Sequence, residues 1–302
     1  MAEMPRLMTA MLTPFDDSLS LDLGRARELA AKLVDEGNDG LVVTGTTGEA
    51  PALSHDEKER LWAAVVEAVG SRAMVVAGTG TNSTRDSIEL SKVALGAGAH
   101  AVMLVAPYYN KPSQEGMYQH FVTAAEAVGA PVVLYNVPPR TASNIEAATV
   151  VRAAKAAGNI VAVKEASSDM AQIASIRRNA PPGFVIYSGN DADTLPMMAL
   201  GALGVISVAG HLVGRDLRMM IDRFHAGDTR GALELHLRML PIFEACFVPG
   251  SPNPCPVKAA MEMIGFGVGG PRLPLVPPTP AQREVIRRAL AVESSLLARA
   301  RT

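Results

Sequence analysis

The chain has 302 residues, of which 48% are hydrophobic and 19% are charged, and its formal net charge is −2. This balance is typical of a globular protein and argues against a disordered chain. Acidic and basic residues alternate along the sequence, which excludes a basic surface for nucleic acid or for an anionic membrane.

The sequence also predicts the compartment. Met1 to Leu12 carries Glu3 and Arg6 and lacks the long apolar core of a signal peptide. No apolar run reaches about 18 residues, so we expect no membrane span. Two cysteines, Cys246 and Cys255, are too few for a disulfide framework in a chain of this size. We expect a cytoplasmic protein, and the role of Cys255 stays open.

Short apolar runs alternate with segments of helical period along most of the chain. The predicted strands, in order, are Leu7–Phe15, Gly40–Gly45, Ala73–Gly80, Ala101–Tyr109, Pro131–Pro138, Ile160–Ala166, Phe184–Asn190 and Gly204–Gly210. The predicted helices between them include Asp22–Glu36, Asp56–Val69, Thr84–Leu95 and Glu115–Val128. Ser54 and Ser113 are predicted helix caps, and Ser54 with Glu57 forms a capping-box spacing.

The strand runs are continuously apolar, which indicates parallel strands that are covered on both faces. Eight of them, each followed by a helix, predict an α/β fold, a (β/α)₈ TIM barrel. An open doubly wound sheet is the alternative, although no GxGxxG motif follows the first strand.

Beyond Phe224 the strands stop. Three predicted helices, Arg230–Ala245, Pro256–Ile264 and Pro280–Ala300, are separated by links rich in Pro and Gly. We therefore predict a catalytic barrel over residues 1–226 and a C-terminal helical extension over residues 227–302, packed on the barrel or on a partner chain.

Barrel enzymes place their chemistry at the carboxyl ends of the strands. Of the seven lysines only Lys164 lies inside a predicted strand, between apolar neighbours. Loss of hydration there would lower its pKa and favour the neutral amine, which is the nucleophile needed for a Schiff base. The alternative is a purely structural ion pair. Pairing with Glu165 is disfavoured because adjacent strand residues point to opposite faces.

Other strand ends carry further candidates. Tyr135, on the strand before Lys164, could transfer protons, or it could be an ordinary core aromatic residue. The Gly45–Glu49 loop could cradle a small carboxylate with its N–H groups and hydroxyls, or it could be a simple turn. Arg140, after two prolines, suits two-point binding of a carboxylate. The six histidines show no ligand spacing, so we expect no metal.

Several motifs in order resemble those of one known family. They are GTTGE at Gly45–Glu49, Pro107–Asn110, Tyr135–Pro138 with Arg140, Val163–Glu165, Ser188-Gly189 and Gly204–Ser207. Together they resemble the class I pyruvate-lyase family of dihydrodipicolinate synthase and N-acetylneuraminate lyase, from about Leu7 to Pro274.

The resemblance implies a role for each matching residue. Lys164 would be the Schiff-base lysine and Tyr135 the proton donor and acceptor. Thr46 would connect Tyr135 to Tyr109, which would reach into the site of a neighbouring subunit. Further substrate contacts would come from the pyruvate-carboxylate ligand Thr47 and from main-chain groups of Gly189 and Ile206. The family implies a homotetramer, a dimer of tight dimers, with no cofactor beyond the covalent lysine adduct.

The resemblance further implies the reaction. An arginine at the position of Arg140 binds the carboxylate of L-aspartate 4-semialdehyde in the synthases, so pyruvate and this aldehyde would condense to 4-hydroxy-tetrahydrodipicolinate in lysine and diaminopimelate biosynthesis. Two alternatives stay open. One is another pyruvate-dependent aldolase of the family, acting on a 2-keto-3-deoxy sugar acid, 4-hydroxy-2-oxoglutarate or N-acetylneuraminate. The other is a non-catalytic barrel that senses a ligand.

The family's lysine-inhibited members bind free lysine at a dimer interface. The chain keeps His55, Asn82 and Tyr108 there, as a remnant allosteric site. The other matching positions carry different residues, namely Ala50, Pro51, Lys58 and Asp86. The Lys58 ammonium would repel that of lysine, so we predict weak or absent feedback. A second departure from many synthases is Asn190, which replaces an aspartate with an effect we leave open.

Overall fold

The computed structural model describes residues 4–299, and side chains for residues 4–291. Eight parallel strands form a closed barrel in sequence order, and β1 pairs with both β2 and β8. The strands are β1 Leu7–Ala10, β2 Gly40–Val43, β3 Met74–Gly78, β4 Ala101–Val105, β5 Val132–Asn136, β6 Ile160–Glu165, β7 Val185–Ser188 and β8 Gly204–Ser207. The prediction of a (β/α)₈ barrel is confirmed, and the open-sheet alternative is wrong.

The helices surround the barrel and extend beyond it. They are α1 Leu23–Asp35, α2 His55–Val69, α3 Thr84–Gly96, α4 Gln114–Val128, α5 Pro138–Thr141, α6 Ala147–Ala156, α7 Met170–Asn179, α8 Thr194–Ala199, α9 Gly210–His225, α10 Thr229–Ala245, α11 Cys255–Met263 and α12 Pro280–Arg299. Two 3₁₀ turns, Ala50–Ala52 and Asp191–Asp193, precede α2 and α8. No helix among residues 4–299 combines the length and the apolar character needed to cross a bilayer.

Local sequence signals set the helix starts. Ser54 accepts a hydrogen bond from the N–H of Glu57, whose carboxylate accepts one from the N–H of Ser54, so the predicted capping box is present. Ser113 caps α4 through the N–H of Gly116. These bonds satisfy donors that the first helical turn leaves without partners.

All eight predicted strands are longer than the observed ones. The first run ends at Ala10 instead of Phe15, and the fourth ends at Val105 instead of Tyr109. The surplus residues form the loops above the strands, where the barrel no longer offers a neighbouring strand to pair with. The sequence also missed α5, a single turn that begins at Pro138, as prolines often do at the first helical position.

The hydrophobic core has two layers. One lies between the strands and the surrounding helices, and it includes Trp62, Leu29 and Phe121. The other fills the barrel interior and includes Met8, Tyr135 and other inward-facing strand residues. The interior is therefore packed, and a polar side chain that projects into it is deprived of water.

The C-terminal helices pack on the barrel. Helix α10 lies along α9, and its Met239 and Phe243 share a hydrophobic cluster with Leu12 of the barrel. Helices α11 and α12 pack on each other, and α12 also contacts α10. The division at residues 226 and 227 stays a prediction, and the predicted helix end at Ala300 lies outside the described residues.

Candidate active site

Lys164 lies on β6 with its side chain almost completely buried, 4% exposed. Strand register pairs it with Tyr135 of β5 and with Tyr187 of β7. Its Nζ lies 4.5 Å from the centroid of the Tyr135 ring. The amine and the tyrosine therefore meet in the barrel interior.

Burial lowers the pKa of Lys164 to about 8. The carboxylate of Asp191 opposes this shift, and the guanidinium of Arg140 adds to it. Near neutral pH a substantial share of the amine is therefore uncharged, which is the form that attacks a carbonyl carbon.

Asp191 was not singled out from the sequence as an active-site residue, although it directly follows the seventh predicted strand. It is buried, and it accepts hydrogen bonds from the N–H groups of Val208 (3.0 Å) and Ala209 (2.9 Å) and from the Ser207 hydroxyl. Burial raises the pKa of its carboxyl, and these donors oppose the rise. Asp191 thus ties the end of β7 to the end of β8 beside Lys164.

Glu165, the neighbour of Lys164 in sequence, does not form an ion pair with the Lys164 amine. Its carboxylate accepts hydrogen bonds from the side-chain amides of Asn136 (3.0 Å) and Gln172 (3.0 Å). Alternation along the strand sends Glu165 outward and Lys164 inward.

Of the two predicted main-chain contact residues, Gly189 lies against the Lys164 side chain and Ile206 lies in the barrel interior. A Cβ added to Gly189 would lie 2.7 Å from the Cβ of Ala166 and 3.3 Å from the Cε of Lys164. Any larger residue here would have to displace Ala166 and would also press on the lysine side chain. Ile206 is buried on β8 in the same interior cluster as Tyr135.

Tyr135 and Thr46, which lies in the loop after β2, line the same cavity. Burial raises the pKa of Tyr135, while Thr46 and the charge of Arg140 lower it. The neighbouring Thr47 is buried, and its Oγ1 accepts a hydrogen bond of 2.9 Å from Nδ2 of Asn253. Asn253 was missed from the sequence, although it lies within the stretch from about Leu7 to Pro274 that carries the family resemblance.

A cavity of about 300 Å³ opens beside this cluster. Its lining includes Thr46, Tyr135 and Arg140, and also Lys58 and Tyr108. Tyr135 connects the cavity to the amine, since its ring contacts Lys164 and it also lines the cavity. The space is large enough for a small organic acid, and two basic side chains, Lys58 and Arg140, line it.

Tyr109 does not line this cavity, and four other predicted catalytic or substrate-binding residues also lie outside its lining, namely Lys164, Thr47, Gly189 and Ile206. The Tyr109 side chain is 88% exposed and its φ is 74°, so the backbone turns the ring away from its own barrel. Asn190, the other departure noted above, donates hydrogen bonds to Ser168 (3.0 Å) and Asp193 (2.9 Å).

Of the three predicted remnant allosteric residues, only Tyr108 lines the cavity. Tyr108 lines the cavity together with Lys58, Ala50 and Pro51. His55 and Asn82 do not line it, and Nε2 of His55 lies 3.7 Å from the carboxylate of Asp86. Burial lowers the pKa of Lys58, and the charge of Asp86 opposes that shift.

A family model described as the dihydrodipicolinate synthetase family matches residues 3–292 of the chain. A 4-hydroxy-tetrahydrodipicolinate synthase of Moorella thermoacetica is 53% identical over 292 residues, which cover 97% of this chain and 99% of the relative. The enzyme of the same name from Desulforamulus reducens is 51% identical, over 94% of this chain and 96% of the relative.

Solved structures agree in fold. Dihydrodipicolinate synthase from Bacillus anthracis has a TM-score of 0.93 at 45% identity, over 96% of this chain and 99% of that chain. The enzyme from Cyanidioschyzon merolae with lysine bound has a TM-score of 0.93 at 42% identity, over 96% of this chain and 98% of that chain. On the match over nearly its whole length, this chain belongs to the dihydrodipicolinate synthetase family.

Proposed function

We propose that this chain is a lyase that condenses pyruvate with L-aspartate 4-semialdehyde to 4-hydroxy-tetrahydrodipicolinate, a step of lysine and diaminopimelate biosynthesis. The observation that carries the proposal is the buried amine of Lys164, whose pKa is lowered to about 8, in contact with Tyr135 inside a closed barrel. Relatives about half identical in sequence carry the name of this activity.

The chemistry begins with attack of the Lys164 amine on the keto carbon of pyruvate. Tyr135 passes a proton to the resulting carbinolamine oxygen, water leaves, and an imine forms. Loss of a methyl proton gives the enamine, which attacks the aldehyde carbon. The amino group of the second substrate then adds to the imine carbon and displaces Lys164, which closes the ring. The covalent lysine adduct stabilises the carbanion, so the proposal includes no separate cofactor and no metal.

The carboxylate of pyruvate is assigned to the Gly45–Glu49 loop. Backbone hydrogen bonds within the loop use the N–H groups of Gly48, Glu49 and Ala50. The N–H groups of Thr46 and Thr47 have no acceptor among the described residues. They can donate to a carboxylate together with the Thr47 hydroxyl.

Arg140 is assigned to the carboxylate of the aldehyde substrate. It lines the cavity with Tyr135, and the helical turn α5 holds it above the end of β5. A guanidinium binds a carboxylate through two parallel hydrogen bonds. A comparison of rates with aspartate semialdehyde and with the sugar-acid, hydroxy-oxoglutarate and sialic-acid substrates tests this assignment, and a preference for one of the latter would contradict it.

The decisive experiment traps the adduct with borohydride in the presence of pyruvate. We expect the mass of one reduced pyruvyl group on the peptide that contains Lys164, and no adduct in Lys164→Met. Lys155→Met, which removes an exposed lysine of helix α6, is the matched control and should trap normally. An adduct on another lysine would contradict the assignment of Lys164. Absence of any adduct would contradict the proposal and would favour a non-catalytic ligand sensor, which should gain no mass.

The proposal extends to assembly. The exposed Tyr109 would complete the relay from Tyr135 and Thr46 in a neighbouring subunit, which requires at least a dimer, and we propose a homotetramer of two tight dimers in the cytoplasm. The exposure of Tyr109, 88%, supports this, because the ring is accessible to a neighbouring subunit. A monomeric mass in sedimentation together with full activity would contradict it.

Regulation by lysine is proposed to be weak or absent. Lys58 lies at the cavity edge with Tyr108, where its charge would oppose a second ammonium group. Initial rates measured with increasing lysine should stay constant, and inhibition at low micromolar lysine would refute the proposal.

A further inference from the structure

The C-terminal extension reaches the predicted carboxylate-binding loop at two points. Asn253, just before α11, donates a hydrogen bond of 2.9 Å from its Nδ2 to Oγ1 of Thr47, although 206 positions separate them. Both side chains are buried. A side chain of the extension therefore contacts a residue assigned to pyruvate.

The second point is a buried ion pair. Nζ of Lys258 lies 2.6 Å from Oε1 of Glu49, and the two side chains are 3% and 0% exposed. Lys258 also donates to the carbonyl of Gly270 (2.9 Å), and Oε2 of Glu49 accepts from the N–H of Arg272 (2.8 Å). Breaking a buried pair leaves an uncompensated charge, so these contacts hold the extension firmly on the loop.

The two contacts bracket the loop. Thr47 is held by Asn253 and Glu49 by Lys258, while the carbonyl of Gly48 between them accepts a 2.6 Å hydrogen bond from the Thr13 hydroxyl. Three consecutive residues are thus fixed from outside the loop. The Thr47 side chain has little freedom to rotate.

A threonine hydroxyl has one hydrogen to donate and lone pairs to accept with. Because Asn253 donates to Oγ1 of Thr47, the hydroxyl hydrogen stays available for another acceptor. The Oδ1 of Asn253 is buried and accepts no hydrogen bond from the described residues. An unpaired buried acceptor is costly, so the bond to Thr47 is the contact that compensates for burying this amide.

We propose that Asn253 is a positioning residue for pyruvate: it orients the Thr47 hydroxyl so that its hydrogen points to the substrate carboxylate, and the Glu49–Lys258 pair anchors the segment that carries it. This inference rests on the proposed function. It adds a role for the C-terminal extension in substrate binding.

The test is the saturation of borohydride trapping by pyruvate, measured alongside kcat. In Asn253→Ala the half-saturating pyruvate concentration should rise about tenfold. This is the size expected when the Thr47 hydroxyl no longer donates a hydrogen bond to the charged carboxylate of pyruvate. Trapping at saturation and kcat should stay within about threefold of the parent chain. Ser251→Ala, which removes a buried hydroxyl of the same segment without a partner on the loop, is the matched control and should saturate like the parent.

A double-variant cycle separates positioning from a general structural effect. If Asn253 acts through Thr47, then Asn253→Ala should add nothing to Thr47→Val, since the hydroxyl it orients is already gone. Additive effects, or an unchanged half-saturation in the folded Asn253→Ala chain, would overturn the inference. A parent chain that forms no adduct would instead overturn the proposed function itself, so the two failures are distinguishable.

Discussion

The sharpest prediction concerns the protonation of Lys164. With a pKa of about 8, roughly a tenth of the amine is neutral at pH 7. With the ordinary value of 10.5 the neutral share would be about one in three thousand, so burial raises the reactive fraction by roughly 300-fold. Since the neutral amine forms above the pKa, the rate of pyruvate adduct formation should rise with pH through a midpoint near 8.

Two variants should move this midpoint in opposite directions. The Asp191 carboxylate raises the pKa of Lys164, so Asp191→Asn should move the midpoint to lower pH, while the amide oxygen can keep the two backbone hydrogen bonds. Arg140 lowers that pKa, so Arg140→Met should move the midpoint to higher pH. Asp193→Asn, two positions from Asp191, is the control and should leave it unchanged.

The assay is the initial rate of trapping with pyruvate alone, which keeps the aldehyde-binding role of Arg140 out of the measurement. A midpoint above pH 10 in the parent chain would show that the Lys164 amine is well hydrated. Shifts of the same sign in the Asp191 and Arg140 variants would show that their charges do not act on Lys164. Either result would refute the electrostatic reasoning.

Substitutions at a close contact, at a helix cap and at a buried ion pair should each have a measurable effect. Gly189→Ala places a methyl group against the Lys164 side chain, so adduct formation should fall at least about tenfold. The folded content measured by circular dichroism should stay close to that of the parent chain. Unchanged trapping would contradict the close approach of Gly189 to Lys164. Ser54→Ala removes one partner of the capping box and should cost about 1 kcal/mol, seen as a lower midpoint in urea unfolding, with no change in trapping. Lys258→Met leaves the Glu49 carboxylate buried without its cation and should lower the free energy of unfolding in urea by about 3–5 kcal/mol. A decrease below about 1 kcal/mol would show that the pair is not isolated from water.

The sequence by itself determined the architecture and pointed to Lys164 as the candidate reactive residue. Continuous apolar runs that alternate with helical segments leave a local, repeated signal, because strands covered on both faces need apolar residues at every position. A lone lysine within such a run stands out for the same reason. Lys164 could therefore be singled out from the residue pattern, whereas Tyr135 and the GTTGE loop were assigned roles only through the family resemblance.

The tertiary structure alone decided how these groups are supported. Asn253 meets Thr47 across 206 positions, and Asp191 reaches the ends of β7 and β8 beside the Lys164 amine. Such contacts have no period and no spacing rule, since they arise only when the barrel closes and the extension folds over it. The lowered pKa of Lys164 is of the same kind: desolvation is produced jointly by all the side chains that surround the amine, and no single segment of sequence contains it.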